Sequence, residues 1–503
     1  MKVYRSSDRP SRKAAEVFAS LHEKGLLAVS PDESAFETVW GWQKGALVGL
    51  TLLAVAGLAL HPVGGLMLFN AVATLGYLAI IAFRFYTIHR AEWRGGGGPE
   101  SAADAATIAP PPDDGDLPVY TILCPLYQEA ETVGGYIRAM IALDYPLEKL
   151  DIRILLEEND PETREAAQLE MDRQGNPTSI QIITLPDSQP KTKPKACNYG
   201  LRGARGEYAV IYDAEDIPER DQLRKALAAF ARLPAATVCL QAKLNYFNPE
   251  QNLLTRFFTA EYSMWFDLFL PGLSAVGSPI PLGGTSNHFR MAALRELGAW
   301  DPFNVAEDAD LGMRIARRGW TTAVLDSTTW EEANSRVGNW VRQRSRWIKG
   351  YMQAWLVTMR QPVRTLRTLG PWRFFCFQAA VGGTPFVLLL NPVYWALTGL
   401  YVLTRWGVIP QLFPPPVFAI SLLSALLGNL VFIYLSIYGL FKRERYSLVP
   451  LMFLSPLYWV LQSVAAWKAL YQLVVKPHYW EKTTHNLAPP PIEAAGVPEG
   501  AVA

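Results

Sequence analysis

Charge-free apolar runs and long polar stretches divide the chain, and the apolar runs come in two sizes. Residues 45–60 and 66–83 carry no charge and are separated by a turn at His61-Pro62. This is the pattern of a transmembrane hairpin, although the first run lies at the short end of the roughly 17 to 25 residues that a crossing requires. The polar stretch before it is too long for a cleavable leader, so the hairpin reads as an anchor. Three further apolar blocks lie at 374–403, 417–441 and 448–475. The last contains Gln462, Lys468 and Gln472 and is too short for two spans, which predicts a kinked or partly interfacial segment.

The smaller runs sit between these blocks. Residues 119–123, 152–156, 180–185, 208–212 and 238–243 are short and apolar or β-branched, with helical patterns between several of them. Such alternation predicts an α/β unit with a mainly parallel sheet covered by helices. Residues 95–117 lack the apolar side chains needed to offset ordering and predict a flexible tether, as does the tail after Asn486. The expected division is an N-terminal cytosolic segment 1–44, a hairpin 45–86, a linker 95–117, a central α/β domain 118–346, an interfacial helix region 347–373, a membrane region 374–475 and a tail 476–503.

A chain that is 50% hydrophobic yet 18% charged averages over two solvents. Basic residues gather beside the apolar blocks, at Lys2, Arg5, Arg9, Arg12 and Lys13, at Arg84, Arg90 and Arg94, from Arg360 to Arg373, and at Lys442, Arg443 and Arg445. They mark the cytoplasmic side and put the central region there. Lys476 and Lys482 leave the side of the tail open. The balance of 47 basic against 46 acidic residues gives no nucleic-acid footprint. Cys124, Cys197, Cys239 and Cys376 form neither a disulfide framework nor a zinc spacing, which suits a reducing compartment.

Ligands of an open α/β sheet bind beyond the carboxyl ends of its strands, and acidic residues fall there: Glu157, Glu158 and Asp160, then Asp213, Glu215 and Asp216. Asp213 and Glu215 can hold a hard divalent cation that also binds phosphates, or form a solvated turn. No P-loop or G-x-G-x-x-G occurs. Lys191, Lys193 and Lys195 read as surface charge or as phosphate partners. Glu307, Asp308 and Asp310 suit a helix N-terminus as well as catalysis. The run from Arg342 to Lys349 suits lipid headgroups as well as a site. PLGGTSNHF reads as a turn or as part of a binding wall.

Taken in order, CPLYQE, LLEEND, KPKACNYG, YDAED, GGTSNHF, AEDADLG and QRSRW resemble the membrane-embedded, cellulose synthase-like family 2 glycosyltransferases of the processive polysaccharide synthase type, over nearly the whole chain. The resemblance implies a GT-A type, Rossmann-like cytosolic domain inserted between transmembrane helices, a nucleotide-sugar donor, Mg2+ or Mn2+, and inversion at the anomeric carbon. It places Asp308 at the catalytic base with Glu307 beside it, and Asp213 with Glu215 at the metal. Glu157 and Glu158 fall where aspartates contact the nucleotide base. Lys195 and Asn198 fall near the donor, and Gln343, Arg346 and Trp347 near the pyrophosphate and the acceptor sugar, with Arg346 counted to both. Gly284, Thr285, Asn287 and His288 fall on the acceptor side. Glutamates replace aspartates at 157, 158 and 215, and their longer arms can shift ligation to Asp216 or nucleotide contact to Asp160.

Trp347 can stack on an acceptor pyranose. Tyr351, Trp355, Trp395, Trp459 and Trp467 either continue that path or form an aromatic belt. The expected activity is transfer of a hexose from UDP-glucose, with GDP-mannose as the alternative, to a β-linked polysaccharide that crosses the bilayer. A glycolipid acceptor without a long product and a catalytically silent membrane scaffold are the rivals. Membrane lipid is an expected partner, a separate export or regulatory partner stays open, and the expected location is the bacterial inner membrane.

Overall fold

The computed structural model describes residues 26–93, 114–187 and 190–482. The tether expected over 95–117 lies almost wholly outside these residues, as does the tail beyond 482. The central region builds one eight-stranded sheet from β1 (Tyr120–Leu126), β2 (Leu150–Glu157), β3 (Ile180–Leu185), β4 (Tyr208–Ile211), β5 (Ile217–Pro218), β6 (Thr237–Tyr246), β7 (Asn287–Arg290) and β8 (Thr321–Glu331). Their order is β3-β2-β1-β4-β7-β6-β8-β5. Strands β3, β2, β1 and β4 pair in parallel, and every residue of β2 is buried, as expected of a strand covered by helices on both faces.

The sheet is mixed rather than mainly parallel. β7 runs antiparallel to both β4 and β6, while β6 and β8 pair in parallel. The sequence NHFR is too short and too polar to read as a strand. Its His288 is buried, bonded to the Tyr120 hydroxyl at 2.7 Å and to Gln222 at 3.2 Å, so its polar ring costs little inside the sheet. The reversal has a functional consequence. The carboxyl ends of β2, β4, β6 and β8 share one edge with the start of β7, so residues after 156, 212 and 330 meet the loop before 287. The chain thus has a GT-A-like fold, with apolar helices on either side of the domain in sequence.

Among the described residues, five helices are long and apolar enough to cross a membrane: Gly41–Leu60, Pro62–Trp93, Pro362–Thr404, Pro415–Lys442 and Tyr446–Val475. Leu53, Leu60 and Leu403 are 70%, 76% and 85% exposed on them, faces that hydrocarbon accommodates and water does not. The Pro362–Thr404 element is kinked at Gly370, whose φ of 76° precedes Pro371. At Gly439 a Cβ would lie 2.7 Å from the Met264 nitrogen, so the Pro415–Lys442 helix touches the domain backbone only because that side chain is absent.

The last apolar element begins as a 3-10 turn, Tyr446–Leu454, and continues as the helix Ser455–Val475. Both of its ends meet the α/β domain and the helix leading out of it. The Tyr458 hydroxyl donates to Glu261 at 2.6 Å. Just past the helix, Lys349 donates to the Tyr479 carbonyl at 2.7 Å and Gln353 to that of Pro477 at 3.1 Å. The opposite end of the helix bundle is marked by Asn70, which donates to the Leu412 carbonyl at 3.1 Å.

Candidate active site

A cavity of about 1290 Å3 opens at the shared strand edge, and Glu157, Asp213, Glu215, Gly284, Thr285, Glu307, Asp308, Gln343, Arg346 and Trp347 all line it. Asp213 and Glu215 follow β4. Glu307 and Asp308 open the helix Glu307–Arg317, where backbone N–H groups favour negative charge; the Ala309 N–H donates to Asp308 Oδ1 at 2.8 Å. Gln343, Arg346 and Trp347 stand on the helix Val337–Thr358. Gly350 of that helix lets it lie against Ala306, since a Cβ there would fall 2.2 Å from the Ala306 Cβ.

Lys193 joins the two acidic groups. It is the first residue of the helix Lys193–Gly200, its ammonium pairs with Asp213, and it donates to the Gly284 carbonyl at 2.6 Å. A Cβ on Gly284 would sit 3.7 Å from Asp308 Oδ2 and 3.9 Å from Lys193 Nζ. Burial pulls the lysine pKa down, but Asp213 and Glu307 outweigh it and the net shift is upward. Burial raises Asp308 to about 6 against the pull of its own backbone amides, Lys193 and Arg346. Burial and the charge of Asp308 raise Glu307 to about 8.

The remaining expected residues lie behind this wall. Lys195, expected near the donor, is 2.8 Å from Glu157 and does not line the cavity. Glu158 is exposed and accepts from the Asp187 N–H at 3.2 Å. Asp160 caps the helix Pro161–Arg173 through the Thr163 N–H at 3.3 Å. Asn198 is engaged on both sides by the Trp300 backbone, at 2.8 and 3.1 Å. Asn287 bonds the Gly283 carbonyl, and His288 stays in the core, where burial lowers its pKa to about 3 and keeps it neutral. Among the aromatic residues, Tyr351, Trp395 and Trp459 line the cavity. Trp355 instead bonds Gln378 at 2.7 Å, and Trp467 the Leu389 carbonyl at 3.2 Å.

Asp216 sits beneath the cavity rather than in it. One oxygen accepts from Thr285 and from the Asp213 N–H at 2.7 Å; the other, Oδ1, is buried with no partner. Burial, Asp213 and Glu215 push its pKa well up. Glu331, at the end of β8, is raised in the same way by burial and by Asp216, Glu215 and Asp213. An orphaned carboxylate oxygen within such an excess of negative charge fits a divalent cation. Among the described residues no three carboxylate, imidazole or thiol ligands form a ready cage. This suits an ion held by one or two carboxylates with substrate phosphates completing its shell.

Several lining residues were not singled out from the sequence. Glu331 closes β8 as Glu157 closes β2, and the unrecognised strand hid it. Trp480 and Lys482 come from beyond the last apolar block. Arg346 lies 4.4 Å over the Trp480 ring, and Lys482 reaches Glu129 at 3.5 Å, so residues 479–482 form a strap across the domain-side mouth. Gln343 Oε1 is buried without a partner, an acceptor open to a ligand hydroxyl. Below Trp347 the same cavity continues between the apolar helices, past Thr384, Asn391, Tyr394, Thr398 and Asn429, to Ile409, Pro410 and Phe413 at the far end of the bundle.

Residues 208–475 match Glycosyl transferase family group 2, and residues 121–291 match Glycosyl transferase family 2. The probable glycosyltransferase YdaM of Bacillus subtilis (strain 168) is 26% identical over 47% of this chain and 56% of its own length. The probable glucomannan 4-beta-mannosyltransferase 7 of Oryza sativa subsp. japonica is 27% identical over 65% of this chain and 55% of its own. The chain therefore spans little more than half the length of these relatives. The mannosyltransferase PcManGT from Pyrobaculum calidifontis, solved in complex with GDP-Man and Mn2+, superposes with a TM-score of 0.46 at 17% identity, covering 75% of this chain and 99% of that one.

Proposed function

The chain belongs to glycosyl transferase family group 2, and from that premise we propose that it is an inverting, divalent-metal-dependent hexosyltransferase that extends a β-linked polysaccharide and passes it across a membrane. One observation carries this reading. The cavity that holds Asp213 and Asp308 runs on without a break to Phe413 and Pro415, so a product made at one end has a route to the other. Its hydroxyl, amide and aromatic lining suits sugar rings, whose edges are polar and whose faces are apolar.

A sugar hydroxyl is a weak nucleophile at neutral pH, so a positioned carboxylate takes its proton as the hydroxyl attacks C1. Asp308 holds that place, fixed by the Ala309 N–H. Attack from the face opposite the diphosphate inverts the anomeric carbon and needs no covalent enzyme intermediate. The leaving diphosphate gains negative charge as the bond breaks, and Lys193 and Arg346 lie where cations offset it. Asp213 and Glu215 would hold the metal, which when bound supplies further positive charge at the diphosphate. Glu157, which also lines the cavity, would contact the nucleotide. Gln343 offers its buried carbonyl oxygen to an acceptor hydroxyl, and Trp347 its ring to an acceptor face.

The relatives named for glucomannan 4-beta-mannosyl transfer favour GDP-mannose over UDP-glucose, reversing the preference drawn from the motifs. The test is the purified full chain in nanodiscs with each radiolabelled donor, Mg2+ or Mn2+ and no added lipid acceptor, followed by linkage analysis. Ethanol-insoluble, endoglycanase-sensitive polymer supports the proposal. Label that appears only in the organic phase after adding membrane lipid replaces it with a glycolipid-forming reading.

A further inference from the structure

Arg84 lines the cavity between its domain part and its helix-bundle part. It lies 22 residues along the Pro62–Trp93 helix, about 33 Å from its far end at 1.5 Å per residue. Its guanidinium is clamped between two rings, 5.4 Å from the Phe269 centroid and 5.1 Å from that of Phe432, and Nη2 donates to Thr384 Oγ1 at 3.3 Å. Aromatic faces hold a cation in place without cancelling its charge.

No carboxylate among the described residues pairs with Arg84. The nearby acid on the cavity wall, Glu261, is already taken by Arg344 and the Tyr458 hydroxyl. Beyond Arg84, the lining towards Phe413 contains no Asp, Glu, Lys, Arg or His. This stretch therefore carries one fixed positive charge that Glu261, itself paired with Arg344, attracts only at longer range, and the route past it carries none. A charged side chain lining a route through a membrane is costly unless it serves the pathway. A neutral sugar chain has no need of it, because threonine, serine, asparagine and tyrosine already offer hydrogen bonds along the wall.

We infer that Arg84 is the electrostatic barrier that keeps protons and metal cations from following the product's route. The inference rests on the reading of the cavity as an exit path. Such a path holds water whenever no polymer fills it, and an unguarded aqueous path dissipates ion gradients. A fixed positive charge in a narrow, low-dielectric passage repels cations strongly and leaves uncharged sugars unaffected.

The test places the full chain in proteoliposomes loaded with a pH-sensitive dye, with an inside-negative potassium diffusion potential and no donor, so that the path is empty. Polymer synthesis is assayed in the same preparation. R84Q should admit protons about tenfold faster than the wild type, and Arg84→Lys should stay near it. In the R84Q background, Thr384→Lys returns a positive charge from the opposite wall and should reseal the path, which a merely structural role for Arg84 would not allow. R84Q vesicles as tight as the wild type, or an Arg84→Lys variant that leaks like R84Q, overturn the barrier. A tight R84Q variant beside normal polymer yield overturns the barrier alone. Leaky R84Q beside a wild type that makes no polymer overturns the synthase reading and leaves the barrier standing.

Discussion

Lys193 and Asp213 form the ion pair on which the acidic cavity is organised. Through its second bond, to the Gly284 carbonyl, the same ammonium fixes the loop that lies against Asp308. Replacing Lys193 with methionine leaves the carboxylates uncompensated and removes the positive charge that the proposed function sets beside the diphosphate. The expected outcome is a loss of about 100-fold in kcat/KM, measured from initial rates with radiolabelled donor. A variant that works within a fewfold of wild type would mean that the pair is only structural.

Asp308→Asn keeps the shape and loses the proposed base. Transfer should fall by about 1000-fold while calorimetric donor affinity changes little. Weakened donor binding with residual turnover would instead move Asp308 into the binding wall.

The pH profile follows from the same group. Asp308 must be ionised to accept a proton, and burial raises its pKa to about 6, so kcat/KM should decline below pH 6, by about tenfold per unit. An unperturbed aspartate would hold the rate down to about pH 4. Lys193 pulls this pKa down, so Lys193→Met should shift the acid limb upward. Glu307, raised to about 8, titrates as a pair with it, and the profile reports the pair.

Removing divalent cations with a chelator should abolish transfer, with Mg2+ or Mn2+ restoring it. Asp213→Ala should weaken metal-dependent binding of the nucleoside diphosphate about tenfold or more, read by titration at saturating metal. Equal affinity with and without metal would remove the cation from the site.

Much of the architecture is written in local patterns. The apolar blocks and the strand–helix alternation are periodic signals, and β2 is buried throughout even though Asp151 and Arg153, paired with each other at 3.0 Å, interrupt its apolar run. β7 escaped because four residues cannot show a period and three of them are polar. The acids at 157, 213 and 308 stood out because they end apolar runs or begin a helical pattern. Lys193 did not, because three alternate lysines look alike until the helix start sets which one faces Asp213. Arg84 read as a topology marker, since nothing in a linear pattern reveals two rings closing over a guanidinium. Trp480 and Lys482 lie in a segment with no pattern of its own.

Gly350 offers a check on how the Val337–Thr358 helix is held. A methyl group there would meet Ala306, two residues before Asp308, and overpacking of this kind costs about 1–3 kcal/mol. Gly350→Ala should therefore lower the melting temperature and depress kcat more than donor affinity, as seen by thermal unfolding and steady-state kinetics. An active, fully stable variant would show that the two backbones can separate without consequence.

On the proposed function, the strap at 479–482 would separate two kinds of traffic. Small molecules would come and go by the gateway it covers, whereas the sugar chain would depart at the opposite pole of the bundle. Incoming feedstock and outgoing fibre would then never queue for one doorway, and the size of the chamber would set no ceiling on the length of what is made.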